Sequence, residues 1–158
     1  MKYGEYSRYL IHVYSVETWK KISVVPIKDN GGDIRTLCVN KHHVFLMCAI
    51  TQYIFKISLE RKEIVKYDQY GIELGQLKYS FACMCDDDDN LLIADMFNHR
   101  LRLLHGAQWS EVELQSSPIW PKDAVYDGHA LYVLGLIPGQ LFKYEAETVN
   151  TQYACVLM

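Results

Sequence analysis

Three groups of side chains in this 158-residue chain have types and spacings that could do chemistry. Cys83-Met84-Cys85 and the pair His42-His43 offer soft metal ligands. Zinc sites, however, set two to four residues between paired cysteines, whereas alternate positions on a strand simply share one face. Asp86 to Asp89 is a run of four carboxylates that could attract a calcium ion. An EF-hand loop spaces its acids alternately and needs a Gly and a distal Glu, so this run reads as a hairpin turn leading into Asn90. In the third group, Asp95 closes the apolar run Asn90-Leu-Leu-Ile-Ala-Asp95 and Arg100 opens Arg100-Leu-Arg-Leu-Leu104. The two charges are placed to meet across an antiparallel pair, a contact worth a few tenths to about 1 kcal/mol. Asn98 between them suits a left-handed turn conformation. Phe97 and His99 fit a ligand-facing role as well as a structural one, because a turn requires neither ring.

These groups need strands to hold them. Short segments rich in β-branched and aromatic residues, bounded by Gly, Asn, Asp or Pro, recur along the chain. One unit reads Ile34–Val39, Val44–Cys48, Tyr53–Leu59 and Glu63–Tyr67; the next Phe81–Cys85, Asn90–Asp95, Arg100–Leu104 and Glu111–Leu114; the last Asp123–Tyr126, Ala130–Leu134, Gln140–Glu145 and Gln152–Leu157. Tyr9–Ser15 and Lys21–Val25 supply two strands before them. The third-strand anchors Leu10, Ile54, Leu101 and Leu141 lie 44, 47 and 40 residues apart, the period of four-stranded propeller blades. Second strands such as Val44–Cys48 are continuously apolar, as expected of a strand covered on both faces, although periodicity alone does not separate that from a short buried helix.

The stretch from Asn90 to Leu104, with Asn98-His99-Arg100 before Leu101, resembles the signature of the NHL repeat, in which each repeat forms one propeller blade. Gly71-Ile-Glu-Leu-Gly-Gln-Leu77 is similar to that family's inter-blade connection. The full motif stands in one unit only: Cys48, Thr51 and Tyr53 replace Asp95, Asn98 and Arg100 upstream, and Gly135, Pro138 and Gln140 replace them downstream. The resemblance is strongest to the C-terminal propellers of tripartite-motif (TRIM-NHL) proteins. It implies an all-β fold, a partial and six-bladed-type propeller of about three and a half antiparallel blades: a half blade over 7–27 and blades over 33–68, 80–115 and 122–158. It also implies a module that selects a protein or RNA, with ubiquitin-ligase activity belonging to a longer relative that carries a RING domain. The alternative is a fragment of a six-bladed propeller enzyme, of the metal-dependent hydrolase or amidating lyase type. Such sites gather His, Asp, Asn and Glu on the central channel, where the first strands here offer mainly Leu37, Cys38, Ala82, Met84, Ala124 and Val125. No enzyme, cofactor or metal is therefore expected. No Ser/His/Asp order, phosphate loop or His-Glu-x-x-His motif is present either.

A net charge of −3 gives no electrostatic footprint for nucleic acid, so a protein or peptide is the expected partner and single-stranded RNA the other possibility. Five cysteines without small-secreted-domain spacing fit a reducing compartment. No signal peptide or membrane span is legible, which makes cytoplasm the expectation. Propeller geometry gathers the turns between second and third strands, and the connections between blades, on one broad face. That face includes Thr51-Gln52, Met96–His99, Ile137–Gly139, Asp29–Asp33, Tyr70–Leu77 and Ser117–Lys122. Phe97, His99, Arg100, Trp120 and Ile137 are its candidate ligand contacts, and Asp95, Asn98 and Arg100 its structural motif. Trp120, between Pro118 and Pro121, equally suits a plug between blades. Propellers close with four to eight blades, so missing blades or a second copy are expected to complete the ring.

Overall fold

The computed structural model describes residues 8–28, 33–48, 51–68, 76–112, 114, 120–137 and 139–145. The chain divides into two compact units, Met1–Gly32 and Asp33–Met158. The first holds one antiparallel hairpin, β1 (Arg8–Tyr14) with β2 (Lys21–Lys28).

The second unit is a succession of antiparallel sheets with strands in chain order. One blade comprises β3 (Ile34–Val39), β4 (His43–Cys48), β5 (Tyr53–Ser58) and β6 (Ile64–Asp68). A second comprises β7 (Ala82–Cys85), β8 (Leu91–Asp95), β9 (Arg100–His105) and β10 (Gln108–Glu111). The third contributes β11 (Pro121–Tyr126), β12 (Ala130–Gly135) and β13 (Gln140–Glu145). The expected strand over Gln152–Leu157 lies outside the described residues. The fold is all-β, built of propeller blades whose ring is not closed.

Alternation along β8 explains why its sequence is apolar without interruption. Leu91 and Ile93 pack with Phe45, Met47 and Ile54 of the preceding blade, while Leu92 and Ala94 pack with Ala124, Leu131 and Val133 of the following one. Each strand face meets a different neighbour, so neither periodicity of two nor of 3.6 survives in the sequence. Fully burying one such aliphatic side chain contributes about 1.5–3 kcal/mol, so this one strand is a large share of the inter-blade adhesion.

The turns joining first to second strands share one device. Asn40 Oδ1 accepts the N–H groups of His42 and His43, Asp86 Oδ1 those of Asp88 and Asn90, and Asp127 Oδ1 those of His129 and Ala130. A short side-chain acceptor thereby closes each hairpin. Asp86 to Asp89 forms such a turn, as its sequence indicates. The last strand of the second blade differs from expectation. Gly106, at φ +60°, closes a two-residue turn after β9, so β10 pairs from Gln108 to Glu111 rather than from Glu111 to Leu114.

Candidate functional site

The turn between β8 and β9 is organised by Asp95, whose side chain is fully buried. Its Oδ1 accepts the backbone N–H of Lys78 at 2.7 Å. Its Oδ2 accepts Asn98 Nδ2 at 2.8 Å and Arg100 Nε at 3.0 Å. Arg100 also donates to the Gln76 carbonyl at 3.1 Å and lies 3.5 Å from Glu111 of β10. Phe97 N–H donates to the Lys78 carbonyl at 3.1 Å. The motif therefore pins the lead-in to β7 against the turn that follows β8, joining two loops that are distant in sequence. Arg100 belongs to this scaffold, with its side chain only 15% exposed, rather than to an outward ligand face. Because the carboxylate is buried, removing one partner would leave an uncompensated buried charge, so breaking the motif costs more than breaking a surface pair.

What the pinning positions is a chain of rings. Tyr79 and Phe97 stack at 4.8 Å with an interplanar angle of 11°, and Tyr79 meets Phe81 at 5.5 Å. Phe97 meets Trp120 at 6.0 Å, and Trp120 stacks on His99 at 6.1 Å. Trp120 Nε1–H donates to His99 Nε2 at 3.1 Å, and Trp120 N–H approaches His99 Nδ1 at 3.3 Å. A neutral imidazole accepts at one nitrogen at a time, so either tautomer ties Trp120 down, whereas a protonated ring accepts at neither. The ladder is open to solvent, with Phe97 41% and Tyr79 38% exposed.

Three members of this ladder, Tyr79, His99 and Trp120, have left-handed backbones with φ of 56°, 55° and 53°. Such values are uncommon for bulky residues, and Trp19, Lys62 and Asp89 share them elsewhere in the chain. They also reveal equivalent positions. Gln52, His99 and Gly139, at φ 57°, 55° and 75°, each immediately precede a third strand. Gln52 links blades as His99 does, its Oε1 accepting Ser80 N–H at 2.9 Å. Aligning the pairings of β7 with β8 and of β11 with β12 makes Tyr79 and Trp120 equivalent as well. The blades thus place aromatic rings at successive first-strand lead-ins. Sequence reading found Phe97, His99 and Trp120 but missed Tyr79 and Phe81, since the loop it assigned to the face stopped at Leu77. The signal was an aromatic three residues before Ala82, as Trp120 lies three before Asp123, the residue in the equivalent register of β11. Ile137, 46% exposed in the turn after β12, occupies the place equivalent to Phe97. Residues 29–32, 70–75, 117–119 and 138 of the expected face lie outside the described residues.

The cysteine constellation is arranged differently from its sequence grouping. Cys83 and Cys85 hydrogen-bond with Cys38 of β3, and these contacts with burial raise the Cys38 thiol far above its ordinary value. The bond from Cys38 lowers Cys85. His43 Nδ1 instead lies 2.8 Å from Asp89 Oδ1. Among the described residues no cluster of three His, Cys, Asp or Glu is arranged to hold a metal.

No protein-family model and no curated sequence matches this chain. Solved structures do. A virginiamycin B lyase from Staphylococcus aureus superposes with a TM-score of 0.57 at 11% identity, covering 86% of this chain and 48% of the lyase. A catalytically inactive variant of that lyase with quinupristin gives 0.55 at 9% identity, over 89% and 60%. The extracellular domain of a one-component system from B. thetaiotaomicron gives 0.52 at 14% identity, over 88% and 20%. The chain thus spans about half the length of the lyases, and at these identities the likeness establishes the propeller fold alone.

The lyases nevertheless overturn the expectation that no enzyme is involved. That expectation rested on apolar first-strand centres and missing local motifs. The solved structures that share this fold include lyases, so those features do not decide against an enzyme. Here the first-strand beginnings bring Arg35, Lys122 and Asp123 around one pocket, one or two residues outside the stretch on which the expectation was built.

Proposed function

We propose that this chain is the ligand-recognising part of an NHL-type propeller, comparable to the substrate-recognition modules of TRIM-NHL ubiquitin ligases, and that its ligand is a protein or peptide segment. The observation that carries this reading is the ladder on the face built from turns, with Tyr79, Phe97 and His99 exposed and Phe81 and Trp120 half-buried beside them. Rings fixed by stacking and by strained backbone lose little freedom on contact, and Trp and Tyr are enriched at interface hot spots. The four described cysteines are free thiols, which supports a reducing, cytoplasmic setting. Among the described residues no helix is long and apolar enough to cross a membrane. Further blades or a second copy complete the ring. Light scattering coupled to gel filtration reads which, and a monodisperse, cooperatively melting 18.4 kDa monomer contradicts both.

Panning a randomised peptide library on the full chain tests the ligand class. Enrichment of aromatic or large aliphatic peptides, lost in Phe97→Ala and Trp120→Ala, supports it. Tight single-stranded RNA binding that weakens steeply with salt, without peptide enrichment, overturns it. Catalysis on the same face is the second reading, favoured by the fold shared with the lyases. Mass spectrometry of ligands recovered after incubation separates it from simple binding.

A further inference from the structure

The ring ladder ends at a pocket. Phe81, its innermost ring, lines an open hollow of about 310 Å³ between the beginnings of β3, β7 and β11, together with Arg35, Thr36, Lys122, Asp123 and Leu134. Lys122, which also lines the hollow, is two residues from Trp120. Three blades contribute to it, which makes it the one place among the described residues where Arg35 and Lys122, from different blades, line the same space.

The donors and acceptors of this hollow are unevenly used. Arg35 Nε donates to Asp33 Oδ2 at 2.6 Å, and the guanidinium carbon stands 5.9 Å from the centre of the Phe81 ring. These contacts leave the two terminal nitrogens of the guanidinium without a hydrogen-bond partner among the described residues. Lys122 likewise has no ion-pair partner among them. The two carboxylates are already engaged, Asp33 by Arg35 and Asp123 Oδ1 by the Ala124 N–H at 2.9 Å. A planar fork and an ammonium with spare donors, in a hollow floored by a ring, match a carboxylate.

Resting on the peptide reading above, we propose that this hollow is a carboxylate-recognising subsite: Arg35 and Lys122 hold an acidic group of the peptide while the ladder takes the apolar side chains beside it. Because Asp33 and Asp123 balance the two cations, attraction is short-ranged hydrogen bonding rather than long-range steering. Its salt dependence is correspondingly shallow.

The same library, panned in parallel on the wild type and on an Arg35→Gln, Lys122→Gln double variant, tests this. Both positions are exposed, and thermal melts confirm that the variant folds. The wild type enriches peptides with an acid next to aromatic residues, and the double variant enriches aromatics with no acid preference. Resynthesised wild-type winners weaken about tenfold when the carboxylate is removed. Exchange of Glu or Asp for the amide, against amidation of the C-terminus, tells which carboxylate is read. Aromatic enrichment without acid preference in the wild type, or the same acid preference in both proteins, overturns the subsite and leaves the peptide reading standing. No peptide enrichment by the wild type overturns both.

Discussion

The two ends of the same blades are built from different chemistry. At the end formed by the turns before third strands, rings face solvent: Tyr79, Phe97 and His99 are all exposed. At the opposite end, polar side chains satisfy one another. Asn40 Nδ2 donates to the Asp86 carbonyl at 2.6 Å and to Asp89 Oδ1 at 2.7 Å, Lys56 Nζ lies 2.9 Å from Asp89 Oδ2, and Lys41 pairs with Asp87. That end also carries the larger hollow, about 660 Å³, lined by Lys41, His42, Glu60 and Arg61 among others. Size does not make it the better site. Its walls are long side chains of mixed sign, which lose rotamer freedom on any contact, whereas the ladder is already fixed. Both ends use polar groups to join blades; the ladder end in addition presents fixed aromatic surface, which the proposed function assigns to a partner.

The largest effect that sharpens this contrast is expected at Asp95. Asp95→Ala removes the acceptor of Lys78 N–H, Asn98 and Arg100 in a buried site, so urea denaturation should show a loss of about 3–5 kcal/mol. A double-mutant cycle with Arg100→Ala should be non-additive. A loss under about 1 kcal/mol, or additivity, removes the motif from its scaffolding role.

Next in size, Phe97→Ala and Trp120→Ala should each weaken binding of a selected peptide by about 2 kcal/mol, the magnitude of a hot spot. Equal losses on truncating Lys41 or Arg61 would erase the distinction between the two ends. Titration calorimetry reads both.

At the opposite end, burial works to raise the Asp89 carboxyl, but hydrogen bonds from Asn40, Lys56 and His43 together hold it below its ordinary value. Its stabilisation is therefore fully present above the unfolded value of about 3.9 and is lost as pH falls through the folded one. Asp89→Asn should cost about 1–2 kcal/mol at neutral pH. It should also flatten the loss of stability below pH 4, with peptide affinity unchanged. A variant that falls with pH as the wild type does would contradict this.

The smallest effect tests backbone strain alone. Gly139, at φ +75°, has room for a methyl group, its nearest neighbour being the Leu136 carbonyl oxygen at 4.0 Å. Gly139→Ala should still cost about 1 kcal/mol, because an L-residue pays for the left-handed conformation there. A neutral result would show that His99 and Gln52 are unstrained at the equivalent positions.

Strands were legible wherever turn residues bracket them: Ile34–Val39 and Gln140–Glu145 match the sequence reading residue for residue. The shift at β10 came from Gly106, whose neighbours Ala107 and Gln108 carry no turn signature of their own. Site residues were legible when they sat in the repeat's signature, as Phe97 and His99 do. Tyr79 and Phe81 were not, because their importance lies in contacts across loops that Asp95 brings together. Arg35 and Lys122, 87 positions apart, meet through stacking of blades and not through any motif.

The central claim is that the ladder is the recognising surface. Its most direct test is a heteronuclear NMR titration of the full chain with a peptide selected from the library, following the three Trp indole N–H resonances. The Trp120 indole, which donates to His99, should shift strongly while those of Trp19 and Trp109 stay in place. Backbone shifts should gather on Tyr79, Phe97 and His99. A silent Trp120 with shifts concentrated on Asn40 to His43 and Asp86 to Asn90 would place recognition at the opposite end and contradict the account.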